Sequence, residues 1–193
     1  MRRKIGIIFI VIGLAVIGTA FYMRYSAEKV QRAMIDSFEH TIEDIDKGSN
    51  DASPSEKPPI DDISAAIGIM KIPKIDLKVA IGEGIDNKTL KYAVGHFTGT
   101  AMPGEKGNFS VAGHRSYTYS EYFNRLDELK DGDEIIVQTK KGEFTYKIYE
   151  KEVVEPTEVS VLNSTKDATI TLVTCTPIRI ATHRLIIKGK LEG

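Results

Sequence analysis

The chain has 193 residues, 26 Lys plus Arg against 27 Asp plus Glu, a net charge of −1 and 41% hydrophobic side chains. That balance, without a basic patch interleaved with aromatics, gives no reason to expect a nucleic-acid partner. A single cysteine, Cys175, excludes an internal disulfide, and neither a Gly-rich phosphate loop, a metal-spaced His/Cys cluster nor an internal repeat occurs.

In chain order, Ile5 to Met23 is a run without a charged side chain, preceded by Arg2, Arg3 and Lys4 and followed by Arg24. At about 1.5 Å per residue it reaches roughly 28 Å, enough for a hydrocarbon core. The exit, Thr19-Ala-Phe-Tyr-Met-Arg24, is bulky and lacks a small-residue cleavage site, which favours a retained anchor over a signal peptide. Residues 1–24 are thus expected to be a basic start and a transmembrane anchor. The basic excess at the start predicts a cytoplasmic N-terminus, a single-pass topology and an extracellular remainder.

Residues 25–47 carry Val30, Met34, Phe38, Ile42 and Ile45 at three- and four-residue spacing among charged residues, the stripe of a helical stalk. The stripe could pack on the domain, on a partner or on the membrane surface. Residues 48–62 are polar and rich in Ser and Pro, too poor in apolar groups to fold alone, and read as a linker. Residues 63–193 then form one domain, long enough to enclose its own core.

Within it, strands are expected over 67–72, 77–81, 107–112, 133–139, 144–153, 168–174 and 184–191, with a hairpin turn at Lys140-Lys-Gly-Glu143. Helical pieces are expected from Asn87 to Val94 and from Glu121 to Leu129. Seven or eight short strands in this length predict a mainly β domain, a closed barrel or a sandwich.

A catalytic thiol needs a proton partner and a group to hold developing negative charge, because a free thiol with a pKa of about 8.5 is only slightly ionised near neutrality. Cys175 ends one strand and Arg184 opens the next. His114 follows the β run Gly107-Asn-Phe-Ser-Val-Ala-Gly, whose last glycine would let the chain turn and present the imidazole at a strand end. His40 reads as a solvated stalk residue and His96 as a loop or groove residue. His183 is expected to face away from any site that Arg184 faces, since adjacent strand residues point to opposite faces. Thr174, beside the thiol, is a candidate substrate contact. The residues alone also allow ordinary hydrogen bonds for His114 and Arg184, with Cys175 as core filling.

Taken together, Gly107-Asn-Phe-Ser-Val-Ala-Gly-His114-Arg, Thr171-Leu-Val-Thr-Cys175-Thr-Pro and Thr182-His-Arg184-Leu-Ile-Ile resemble the signature of the sortases, membrane-anchored cysteine transpeptidases of Gram-positive bacteria. Gly95-His-Phe-Thr-Gly-Thr-Ala-Met-Pro-Gly104 and Phe123-Asn-Arg-Leu-Asp-Glu-Leu-Lys-Asp-Gly-Asp133 are further echoes, so the similarity covers about residues 67 to 191. The resemblance implies an eight-stranded β-barrel. It implies Cys175 as nucleophile, His114 as general acid and Arg184 as partner of the substrate carbonyl oxygen, with no cofactor and no required metal, although Glu105, Glu155 and Glu158 are of the type that binds calcium in some relatives. The substrates it implies are exported proteins with a C-terminal Leu-Pro-x-Thr-Gly-like sorting signal, cleaved after Thr through a thioester and transferred to an amine of a cell-wall precursor. The segment Tyr149 to Asp167 is expected to shape the groove that reads the signal.

The short loop from Cys175 to Arg184 looks most similar to the class D type, with class A next. Pilus-building members carry a lid with an aromatic residue, and residues 50–62 contain none. Rival readings are a pilus-polymerising sortase, an L,D-transpeptidase, whose Ser-His-Gly-Cys type motif is not present, and a non-catalytic anchored β-domain that binds a wall or protein ligand. A papain-like protease would place its cysteine before its histidine.

Overall fold

The computed structural model describes residues 2–47, 66–115 and 120–192. The linker expected over 48–62 lies outside the described residues.

Helix α1 (Arg2–Asp46) is continuous for 45 residues, because no Pro or Gly interrupts the chain between Met23 and Asp46. Its first half is long and apolar enough to cross a membrane, and its large side chains stand open, Phe9 at 69% and Phe21 at 73% exposure. The second half behaves differently. Ala27, Val30, Met34, Ile35 and Phe38 are buried against Ile69, Ala80, Tyr92 and Ala93, with Ile42 packed beside them. The stalk stripe therefore packs on its own domain. Polar contacts flank it: Gln31 Nε2 donates to the Lys78 carbonyl at 3.1 Å and Lys78 Nζ pairs with Glu39 at 2.8 Å.

The domain holds β1 (Gly68–Ile72), β2 (Leu77–Glu83), α2 (Asn87–Tyr92), β3 (Val94–His96), β4 (Gly107–Ala112), β5 (Glu134–Thr139), β6 (Gly142–Val154), β7 (Ala168–Thr176) and β8 (His183–Leu191). The strands close into a barrel in the order β1-β2-β3-β4-β7-β8-β6-β5, with β1 hydrogen-bonded to β5. Closure pairs every described strand on both sides. The pairs β2–β3 and β4–β7 are parallel and the others antiparallel. Alternate side chains fill the interior: Phe109 and Val111 from β4, Ile170 and Leu172 from β7, Leu185 and Ile187 from β8, all buried together.

Two elements differ from the sequence reading. The helical piece at 87 stops at Tyr92, and Val94–His96 becomes β3, paired in parallel with β2. A Cβ on Gly95 would lie 2.2 Å from the Gly84 carbonyl oxygen, so only glycine permits that approach. The stretch 121–129 is not an α-helix but a turn followed by a 3-10 helix at Leu126–Glu128. Its apolar residues Phe123, Leu126 and Leu129 recur every third residue and are fully buried, a spacing that suits 3-10 geometry better than the 3.6 period.

Candidate active site

The interior set of each strand dictates which residues face outward. With Val111, Leu172 and Leu185 inside, alternation sends Ala112 and His114, Val173 and Cys175, and Arg184 and Ile186 to the outer face. The pairing registers then align them across three neighbouring strands. Cys175 sits opposite Arg184 in the β7–β8 ladder, and Ala112 sits opposite Val173 in the β4–β7 ladder, with His114 two residues beyond that last pair. One groove of about 350 Å³ is lined by His114, Cys175 and Arg184, with Ala112, Val173 and Ile186 among its apolar lining.

Its walls come from two connections. Ile85, Leu90 and Phe97 line it from the β2–β3 side, and Val154, Pro156, Val159, Val161 and Leu162 line it from β6 and the segment that follows. Asn108 pins that second wall: its Nδ2 donates to the Val161 carbonyl at 3.0 Å while its Oδ1 accepts from Thr171 Oγ1 at 2.8 Å. Glu158 belongs to the same wall and caps its 3-10 turn by accepting from the Ser160 amide at 3.2 Å.

Cys175 and His114 are both half-buried. Burial pushes the His114 imidazole below its ordinary pKa, because desolvation penalises the charged form. The Arg184 guanidinium is steadied by the loop before it: Nη1 donates to the carbonyls of His183 at 3.0 Å and Ala181 at 3.3 Å. Those bonds involve Nη1, whereas Nε and Nη2 carry the remaining three N–H groups of the fork.

Thr174 lines the groove but belongs to the inward set, and its hydroxyl donates to the Gly113 carbonyl at 2.7 Å. It ties the cysteine strand to the histidine strand. Gly113 itself is not in a left-handed conformation. Its role is close packing, since a Cβ there would come within 2.6 Å of the Phe123 ring.

The other histidines lie elsewhere. His183 pairs with Thr176 in the ladder and reaches Glu155 at 3.1 Å, on the face opposite to Arg184. His96 is 2% exposed, held by Glu83 at 2.8 Å and by Thr100 at 2.9 Å, so it is a buried network residue rather than a groove residue. His40 is exposed on α1. Among the described residues, no group of three or more His, Cys, Asp or Glu side chains could hold a metal ion.

The closed eight-stranded barrel is the fold that the resemblance implied. The family model of the Sortase domain matches residues 70–192. Sortase D of Bacillus subtilis is 37% identical over 130 residues, 65% of this chain and 63% of that protein. Among solved structures, a Clostridium perfringens Sortase D5 transpeptidase superposes with a TM-score of 0.65 at 37% identity, over 82% of this chain and 99% of that one. A Clostridium perfringens sortase C, solved with the C-terminal cell wall sorting motif, gives a TM-score of 0.64 at 28% identity over 84% of this chain and 89% of that one. The chain belongs to the sortase family. Matches to the first curated relatives span between 56% and 63% of their length.

Proposed function

We propose that this protein is a cysteine transpeptidase that cleaves a Leu-Pro-x-Thr-Gly-like sorting signal after the threonine and passes the acyl group to an amine. The observation that carries the reading is the convergence of His114, two residues past the end of β4, with Cys175 on β7 and Arg184 on β8 at one groove. Family membership and the sorting motif held by a structural neighbour support it.

In the first step the Cys175 thiolate attacks the threonine carbonyl carbon, forming a C–S bond and moving charge onto the carbonyl oxygen. Arg184 sits across the ladder from the sulfur, where Nε and Nη2 can donate to that oxyanion. The C–N bond then breaks, and His114 as imidazolium gives its proton to the departing amine. A thioester on Cys175 and a neutral imidazole remain. An incoming amine attacks the thioester, the new amide forms, the amine's proton returns to His114 and the thiolate is released. The apolar floor and walls suit the leucine and proline of the signal and keep water from the thioester, which favours transfer over hydrolysis.

The acceptor we propose is an amine of a peptidoglycan precursor, with exported proteins as acyl donors. The site belongs outside the cell, on a domain from about residue 63 that an uncleaved single-pass α1 holds to the membrane, its N-terminus cytoplasmic. Similarity to sortase D proteins favours a class D type.

The test uses the full chain in detergent micelles with a panel of Leu-Pro-x-Thr-Gly peptides and hydroxylamine as acceptor. Cleavage after threonine is expected, with losses of at least about 100-fold in Cys175→Ala and His114→Ala and of about 100- to 1000-fold in Arg184→Ala. A folded wild-type chain that leaves the whole panel intact contradicts the reading and favours a non-catalytic binding domain.

A further inference from the structure

We propose that Arg115 is a positioning residue that sets the spacing between His114 and Cys175 through its hold on Thr176, with Asp127 as its counter-ion. The proposal rests on the roles given to His114 and Cys175 above.

The problem that Arg115 solves is visible in the ladder. β4 and β7 carry the two reacting residues just past the end of their regular pairing, where the Gly113 amide still donates to the Val173 carbonyl at 3.1 Å. Beyond that point backbone pairing no longer fixes how far the imidazole lies from the thiol. Side chains continue the link. Thr174 Oγ1 donates to the Gly113 carbonyl at 2.7 Å, on the inner side. Arg115, one residue after His114, crosses to the other strand: its Nη1 donates to Oγ1 of Thr176, one residue after Cys175, at 2.6 Å.

The same guanidinium is anchored behind. Nη2 pairs with Asp127 Oδ1 at 2.8 Å, and Nε donates to the Asn124 carbonyl at 3.4 Å. The segment holding those acceptors is itself fastened to the histidine, since the Phe123 amide donates to the His114 carbonyl at 3.0 Å. One fork thus ties together the strand end with the imidazole, the strand end with the thiol and the 123–127 segment between them.

Burial makes this arrangement informative. The Arg115 side chain is 7% exposed while Asp127 is 55% exposed. Removing a cation from water is costly unless every direction of its donor set is answered. Here the three acceptors match a planar fork, and a lysine ammonium on a flexible stem could reach one or two of them but not hold all three in one plane. Arg115 does not line the groove, so it acts through its neighbours rather than on a substrate.

The experiment compares the wild-type full chain in detergent micelles with Arg115→Lys and Asp127→Asn. Cleavage of a Leu-Pro-x-Thr-Gly peptide in hydroxylamine gives kcat and KM, and iodoacetamide alkylation of Cys175 is followed against pH. For Arg115→Lys the expected result is a kcat reduced at least 10-fold, a KM within twofold of wild type, and an alkylation profile shifted toward that of His114→Ala. Asp127→Asn moves the same way by a smaller factor. A folded Arg115→Lys with wild-type kcat and alkylation profile overturns the proposal, as does a change confined to KM. If Arg115→Lys fails to fold, Asp127→Asn decides: a lowered kcat with KM kept supports the proposal and an unchanged kcat overturns it. An inactive wild type defeats the transpeptidase reading and the proposal together, whereas an active wild type with unaffected variants defeats the proposal alone.

Discussion

His114 shows how one residue carries both the promise and the cost of the site. Half-buried beside the groove, its imidazolium is penalised by desolvation, so its pKa lies below the ordinary value of about 6.5. The folded pKa is thus lower than the unfolded one, protonation favours the unfolded chain, and stability is lost as pH falls through about 6.5 toward the folded value. Melting temperatures at pH 7.5 and 5.5 check this: His114→Gln should lose less on acidification than wild type, and equal losses would contradict it. The motif residues Cys175, His114 and Arg184 were legible as strand-end candidates, with roles that only the resemblance supplied; the long-range β4–β7 and β7–β8 pairings then bring them to one groove. Arg115 was not. Its sequence position says that it follows a histidine, but its meaning depends on Thr176 and Asp127, which only tertiary folding brings to it.

At the scale of elements, the long alternating runs announced themselves and the short ones did not. β6 extends a residue or two beyond its expected bounds at either end, and the hairpin at Lys140-Lys141 closes with Thr139 opposite Gly142 as its turn chemistry suggests. β3 has only three residues, one of them Gly95, which is too short for any period; it exists because β2 and β4 offer it partners. The groove walls at Ile85, Leu90 and Phe97 were equally hidden, since a lining residue is defined by what lies across from it. The stripe on α1 was legible as a stripe, while its partner was not. That partner is the outer face of β1 and β2 with α2, and Phe38 at 4% exposure is among the deepest contacts. Phe38→Ala should weaken the docked helix by about 3 kcal/mol. Hydrogen exchange should then reveal faster exchange over residues 27–42, with β7 and β8 unchanged; protection equal to wild type would contradict the packing role.

For the whole molecule, the continuous α1 has a mechanical consequence. The helix runs without a break from the apolar segment into its buried contacts at Ala27 to Phe38, so the barrel is carried on the same rod whose first half is long and apolar enough to cross a membrane. At about 1.5 Å per residue, the first buried contact follows the end of the apolar run by only about 6 Å. With the proposed function, that rod would hold the groove at a fixed, short height above the apolar segment. The proposed function makes Cys175 a transient acyl carrier in that groove. The most direct measurement incubates the full chain in detergent micelles with a Leu-Pro-x-Thr-Gly peptide at excess, without an added amine, quenches in acid and maps the adduct by mass spectrometry. An acyl group ending in threonine is expected on Cys175, released by hydroxylamine and lacking in Cys175→Ala. Peptide cleavage that persists in Cys175→Ala, or a folded wild type that never carries the acyl group while its peptide is consumed, would contradict it.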